Sequence, residues 1–197
     1  ANGAGPGDLA QTTDGNIELM INVQSAPWIP VDRIRVLTDG DELLSFDLKE
    51  DGYLPPITIG PLSIVAKEDA WITILADSNR EMGPFLPTRQ RPIRPMAMTG
   101  PIRIDADGDG KWTPPLATAY IEVAEADGQW DTILRNWNRR GPFGRAMLTR
   151  AAATDPRLAT AAIEAALQDN DRLVQAAGIA AAKKTNARDF RPMIAAL

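Results

Sequence analysis

The sequence predicts a mainly β protein with an α appendage: an immunoglobulin-like β-sandwich over residues 1–138, followed by a small Ala-rich helical segment of HEAT type over residues 139–197. Three observations predict it. In the first two-thirds, apolar residues alternate with polar ones or gather in short β-branched and aromatic runs, separated by Gly, Pro and Asp turns. No helical pattern lies among them. In the last third the composition shifts to alanine, 17 of them between Ala146 and Ala196, with Leu, Ile and Met at helical spacing.

The elements follow in order. Gly3-Ala4-Gly5-Pro6-Gly7 has no strand before it and Pro within it, so it reads as a flexible terminus and not as a phosphate loop. Ile17, Leu19, Ile21 and Val23 alternate with Asn16, Glu18, Met20 and Asn22, which makes a strand with one buried face. Ile34 and Val36, then Leu43, Leu44 and Phe46, flank Asp39-Gly40-Asp41 and predict a hairpin. Residues 57–66 form an apolar stretch broken by Gly60-Pro61, hence two strands or one strand with a bulge. Residues 70–76, Ala-Trp-Ile-Thr-Ile-Leu-Ala, have the content of a central strand. Residues 97–104 and 118–123 are further strand candidates. Seven short strands of this kind fit a two-sheet sandwich.

Three helix starts recur in the tail. Thr154-Asp155-Pro156 supplies a cap and a first-turn Pro, Asp169-Asn170-Asp171 supplies a cap, and Asn186-Ala187-Arg188-Asp189-Phe190 is a third start. That is about one and a half repeats of HEAT type, too few to be stable unaided. The tail is expected to lean on the sandwich or to open a longer array.

Charge changes along the same boundary. Residues 139–197 hold 10 Lys/Arg and 5 Asp/Glu, leaving 11 and 21 in residues 1–138. The acidic majority argues against nucleic acid as the main partner. No apolar run approaches the ~18 residues of a membrane span. The chain has no Cys and no His. It therefore lacks a thiol nucleophile, Cys- or His-ligated zinc and the imidazole of a catalytic relay. A hydrolase would have to run on carboxylates such as Asp69, Asp77 or Glu122, whose mutual placement the sequence leaves open. We expect the chain not to be a complete enzyme, and its start at Ala1, without Met, fits a piece of something longer.

The strongest local signal is Asp105-Ala106-Asp107-Gly108-Asp109-Gly110-Lys111-Trp112. Carboxylates at positions 1, 3 and 5 with Gly at 6 are what a calcium loop uses, and the Lys111 carbonyl at position 7 would be a further ligand. The metal ligands expected are Asp105, Asp107, Asp109 and Lys111. Position 12 is Leu116 in place of the bidentate Glu of an EF-hand, and Pro114-Pro115 follows, so a remote carboxylate or water must complete the shell. A tight turn with solvated carboxylates is the alternative. Such a site would be weak, Kd ~10⁻⁴–10⁻³ M, and useful where calcium is millimolar, which points to an extracytoplasmic (periplasmic or secreted) setting.

Other segments have structural readings. Thr88-Arg89-Gln90-Arg91-Pro92-Ile93-Arg94-Pro95 is a basic loop that could hold an anion or dock on an acidic neighbour, or simply connect strands stiffly. Of the five Trp residues, Trp71 is expected in the core, Trp28 at a corner, and Trp130 and Trp137 sealing the junction with the helices.

Taken in order, Ser25-Ala26-Pro27-Trp28-Ile29-Pro30-Val31-Asp32-Arg33-Ile34-Arg35-Val36, Asp69-Ala70-Trp71-Ile72-Thr73-Ile74 and Ala97-Met98-Thr99-Gly100-Pro101-Ile102, running into 105–112 and Pro114-Pro115, form a recognisable series. It resembles the region after the catalytic domain in PHP-type (polymerase and histidinol phosphatase) metal-dependent phosphoesterases, especially the carbaryl-hydrolase-like group, over roughly residues 1–116. Relatives often read Thr-Asn-Pro-Ile where this chain has Thr99-Gly100-Pro101-Ile102. The resemblance implies an upstream catalytic domain with a His- and Asp-rich metal centre as partner. None of those motifs occurs here, so it carries over no catalytic residue, and the helical tail lies outside it. The function expected is a non-catalytic accessory module of a larger hydrolase. The rival is a free-standing extracellular module that binds carbohydrate or protein.

Overall fold

In the computed structural model the residues described are 1–48, 56–82, 93–185 and 188–197. The chain divides into two compact units, 1–112 and 113–197. Strands precede helices, as the sequence predicts. The division falls before the 138/139 boundary suggested by charge, because residues 118–123, read as a strand, are helical. Charge reports on surfaces, and here the surface balance changes later than the fold does.

Among the described residues the first unit contains eight strands: β1 (Leu9–Gln11), β2 (Asn16–Val23), β3 (Arg33–Thr38), β4 (Asp41–Asp47), β5 (Ile57–Val65), β6 (Ala70–Asp77), β7 (Met96–Met98) and β8 (Ile102–Asp105). Six form one sheet in the order β1-β8-β6-β3-β4, with β7 also pairing β6; β2 and β5 form a second, two-stranded sheet. With the helical unit this is a mixed fold of strands and helices, and six strands against two is a more uneven division than an immunoglobulin sandwich has. The layers share one core, with Ile17, Leu19, Ile21, Ile57 and Ile64 from the small sheet and Ile34, Val36, Ile72, Ile74, Ile102 and Ile104 from the large one.

The β3–β4 turn is the one the sequence signalled. Asp39 and Gly40 have φ of 49° and 89°, the left-handed pair that a tight two-residue hairpin requires. β5 is a single strand whose register against β2 shifts between Leu19 and Ile21, opposite Gly60-Pro61, so the bulge reading holds. The candidate strand 97–104 is two strands, β7 and β8, separated at Thr99-Gly100-Pro101.

The amino terminus is tied down and not flexible. Asn2 pairs with β2 through both its amide, which donates to Glu18 O at 2.9 Å, and its side-chain oxygen, which accepts from Glu18 N at 2.7 Å. β1 then runs parallel to β8. This addition is invisible to periodicity because the pairing strand is only three residues long.

Among the described residues the second unit has six helices: α1 (Pro115–Glu125), α2 (Trp130–Trp137), α3 (Pro142–Ala152), α4 (Ala159–Leu167), α5 (Arg172–Lys184) and α6 (Arg191–Ala195), the last preceded by a short 3-10 turn. Pro115 and Pro142 occupy first-turn positions, where the missing N–H costs nothing. Asp171 caps α5 by accepting from Leu173 N at 2.8 Å, as expected. α4 starts later than Asp155-Pro156 suggested, since Asp155 accepts from Arg157 N in a turn of its own. Of the third predicted start, Asn186 and Ala187 lie outside the described residues. A core of Val123, Ile133, Trp137, Leu148, Leu158 and Val174, filled in by alanines, belongs wholly to this unit. Trp130 and Trp137 meet edge-to-face at 6.0 Å and pack, as expected, against the helices that follow. Among the described residues no helix is long and apolar enough to cross a membrane.

Candidate functional site: an acidic loop on the β6–β8 edge

Pairing of β6 with β8 builds the site. The antiparallel register sets Ala70 opposite Ile104, so Asp69, just before β6, arrives beside Asp105, the last residue of β8. Carboxylate oxygens of Asp69, Asp105 and Asp107 all lie within 4.8 Å of one another. Asp69 thus stands where a remote carboxylate could complete a metal shell with the loop. Sequence reasoning named it only as an acid of unknown placement, because its role depends on a strand register that no local pattern encodes.

The loop is held at several points. Asp105, fully buried, accepts from Gly108 N and Gly110 N, both at 2.8 Å. Asp69 accepts from Ala106 N at 2.9 Å, and the Trp112 indole donates to Ala70 O at 3.0 Å. Both ends of the loop are thus fastened to the start of β6. Thr12 N donates to Asp105 O and Gln11 Nε2 to its carboxylate, which joins β1 to the same point. Gly108 sits at φ +74° with Thr12 O 3.3 Å from where a Cβ would be, so conformation and space both call for glycine.

Of the four residues expected as ligands, the structure brings Asp105 and Asp107 together with Asp69. Asp109 is outside that trio; it accepts from Lys111 N at 2.7 Å. The donor set fits a hard cation. A calcium ion takes oxygen ligands at about 2.3–2.6 Å, so oxygens sharing one ion lie at most about 5 Å apart. Asp105 Oδ1 accepts from one amide, Gly108 N, and keeps a lone pair, whereas Oδ2 accepts from both Gly110 N and the Gln11 side chain.

The other acids are engaged elsewhere. Burial alone would raise the Asp77 carboxyl, but Arg33 and Arg35, which donate to it, hold it below its ordinary range. Glu122, in the helical unit, accepts from Asn136 and Arg140. Asp69 precedes β6 and Asp77 ends it, eight residues on and roughly 25 Å away at strand rise, so they are no catalytic pair. Trp71 is half-buried where a core residue was expected, and Trp28 is 57% exposed. Thr88 to Pro92 of the basic loop lie outside the described residues.

Comparison of the chain with models of known protein families, with curated proteins and with solved structures finds no match.

Proposed function

We propose that this chain is a non-catalytic accessory module of a larger metal-dependent phosphoesterase-like hydrolase, with a β unit of diverged immunoglobulin-like type stabilised by a calcium ion at Asp69, Asp105 and Asp107. The observation that carries the reading is the convergence of Asp69 on the Asp-x-Asp-x-Asp-Gly loop. It gathers three hard oxygen ligands where they rigidify a loop, without the acid–base pair or imidazole that turnover would use. The upstream catalytic domain as partner rests on the resemblance over residues 1–116. A weak site of this kind would fill at millimolar calcium, so the setting proposed is extracytoplasmic.

Binding to the folded state alone adds RT ln(1 + [Ca²⁺]/Kd), about 1.4 kcal/mol at tenfold saturation. For a chain of this size that is an increase in Tm of about 3–6 °C. The expected outcome is such a rise in millimolar calcium and a smaller one in equal magnesium. Asp107→Ala and Asp69→Asn should each abolish it. An unchanged melting curve would overturn the calcium reading. Metal-dependent turnover of a generic phosphodiester by residues 1–197 would overturn the accessory one.

A further inference from the structure

Residues 1–4 form a hairpin turn. Ala1 and Ala4 exchange two backbone bonds, Ala4 N to Ala1 O and Ala1 N to Ala4 O, both at 2.7 Å. Asn2 and Gly3 between them have φ of 46° and 80°, the type I′ geometry that joins two antiparallel strands. The turn is clamped in place. Asn2 N donates to Glu18 O, the Asn2 side-chain oxygen accepts from Glu18 N, and its amide donates to Gln11 O and Asn16 O. Ala4 opens one arm of this hairpin, and Ala1 is the last residue of the other.

That other arm points along an open edge. Ala66 N donates to Gly15 O, which sets the odd-numbered residues of β2 against β5 and turns the backbone groups of Glu18, Met20 and Asn22 the other way. Asn2 takes those of Glu18; those of Met20 and Asn22 meet no partner among the described residues. Beside them lies a groove of about 410 Å³, lined by Leu19, Ile21, Ile74 and Ala76 and, from β7, by Ala97 and Met98. Met20 is 49% exposed and Met98 66%. Unpaired strand edges beside apolar side chains are what proteins ordinarily cover. Ala1 lines this groove, whereas Asn2 lies back among residues 16–18, so the arm ending at Ala1 runs antiparallel to β2.

We propose that the groove is the seat of a β-strand made by the residues that immediately precede Ala1 in the parent polypeptide. The inference takes from the accessory-module reading only that 1–197 belongs to a longer chain. With Asn2 opposite Glu18, Ala1 stands opposite Leu19, the residue before it opposite Met20, and the next two opposite Ile21 and Asn22. Alternation turns the partners of Leu19, Ile21 and Val23 into the groove. Ala1 already packs there, on the core that holds Leu19 and Ile21. The segment is therefore extended, with apolar residues second and fourth before Ala1, and its backbone takes up the free groups of Met20 and Asn22. A separate peptide or a second copy would have to supply a strand without the turn that already aims this one.

The test compares amide hydrogen exchange at Met20 and Asn22 in residues 1–197 and in the parent polypeptide. The expected result is fast exchange in 1–197 and exchange at least about a hundredfold slower in the parent, the mark of bonds that open only by local unfolding. Proline in place of the first and third residues before Ala1 removes the N–H groups that pair with β2 and leaves 1–197 untouched. It should restore fast exchange. Four results would overturn the proposal: equal exchange in 1–197 and the parent, a parent that starts at Ala1, protection that survives the two prolines, or protection in 1–197 alone that grows with its concentration, which puts a second copy on the edge. A parent without a hydrolase domain sinks the accessory reading instead, and the exchange data still decide this one.

Discussion

Asp32 shows how a single buried acid is kept charged. It is 3% exposed, and burial by itself would raise its carboxyl. Three partners reverse that: the Ser78 hydroxyl donates at 2.5 Å, Asn79 N at 3.1 Å and the Arg80 guanidinium at 2.6–2.9 Å, so the group sits below its ordinary 3.8. Because the folded value is depressed, the stability it contributes is complete above pH 3.8 and is lost as pH falls through the lower, folded value. Asp32→Ala leaves the buried Ser78 hydroxyl and the Asn79 amide without their acceptor, at a cost of about 2 kcal/mol in urea unfolding near neutrality. Its stability should also fall less steeply than the parent's below pH 3.8. Equal slopes in the two titrations would show that Asp32 is not a source of acid sensitivity. Nothing in the sequence marks Asp32, because its partners Ser78, Asn79 and Arg80 come from the segment that follows β6. Asp105 and Asp107 were legible for the opposite reason: their geometry is local, set within six residues. Asp69 belongs with Asp32, a residue whose meaning is set by a long-range pairing.

Elements were legible where turn chemistry and period agree, as in β2, the β3–β4 hairpin and the bulge at Gly60. They were misread where local composition competes with context. The run Thr118-Ala-Tyr-Ile-Glu-Val123 has β-branched and aromatic residues, yet Pro115 at the first turn sets a helix going, and Ala119, Val123 and Ala126 bury one face at helical spacing. Close helix packing adds a constraint no propensity scale reports. Gly178 of α5 lies so near α4 that a Cβ there would stand 2.9 Å from Ala166 Cβ and 3.3 Å from Leu167 N. A larger side chain must push the helices apart, since both contacts lie on fixed backbone or its first carbon. Gly178→Val is therefore expected to cost about 2–3 kcal/mol by chemical denaturation, although glycine is the poorer helix former. Ala180→Val, on the exposed face of the same helix, is the control and should cost less than about 1 kcal/mol. Similar losses for both would mean that propensity, not crowding against α4, limits the helix.

For the whole molecule the informative fact is that each unit has its own core, the helical unit holding two clusters among the described residues, the larger of which begins well before the alanine-rich tail does. A tail limited to 139–197 looks too short of apolar area because it omits Val123, Ile133 and Trp137, which form a large share of the buried surface around Leu148, Leu158 and Val174. Alanine supplies helix propensity but little burial, so the bulky residues of α1 and α2 determine whether α3 to α5 hold together. The Arg140 guanidinium, which donates to Glu122, ties the start of α3 back to α1. Two fragments separate these contributions. Residues 113–197, with the complete core, should be helical by circular dichroism and melt in one cooperative transition. Residues 139–197, with the alanine-rich helices and their caps intact, lose the core positions Ala119, Val123, Ala126, Ile133 and Trp137 and the half-buried Arg140–Glu122 ion pair. Their helices are also near or below the ~12–15 residues at which isolated helices are marginal in water. They should melt gradually, without a transition. A sharp melt from 139–197 would place the folding boundary where the charge changes; a broad one from both fragments would mean that the helical unit is not independent and needs the β unit to fold.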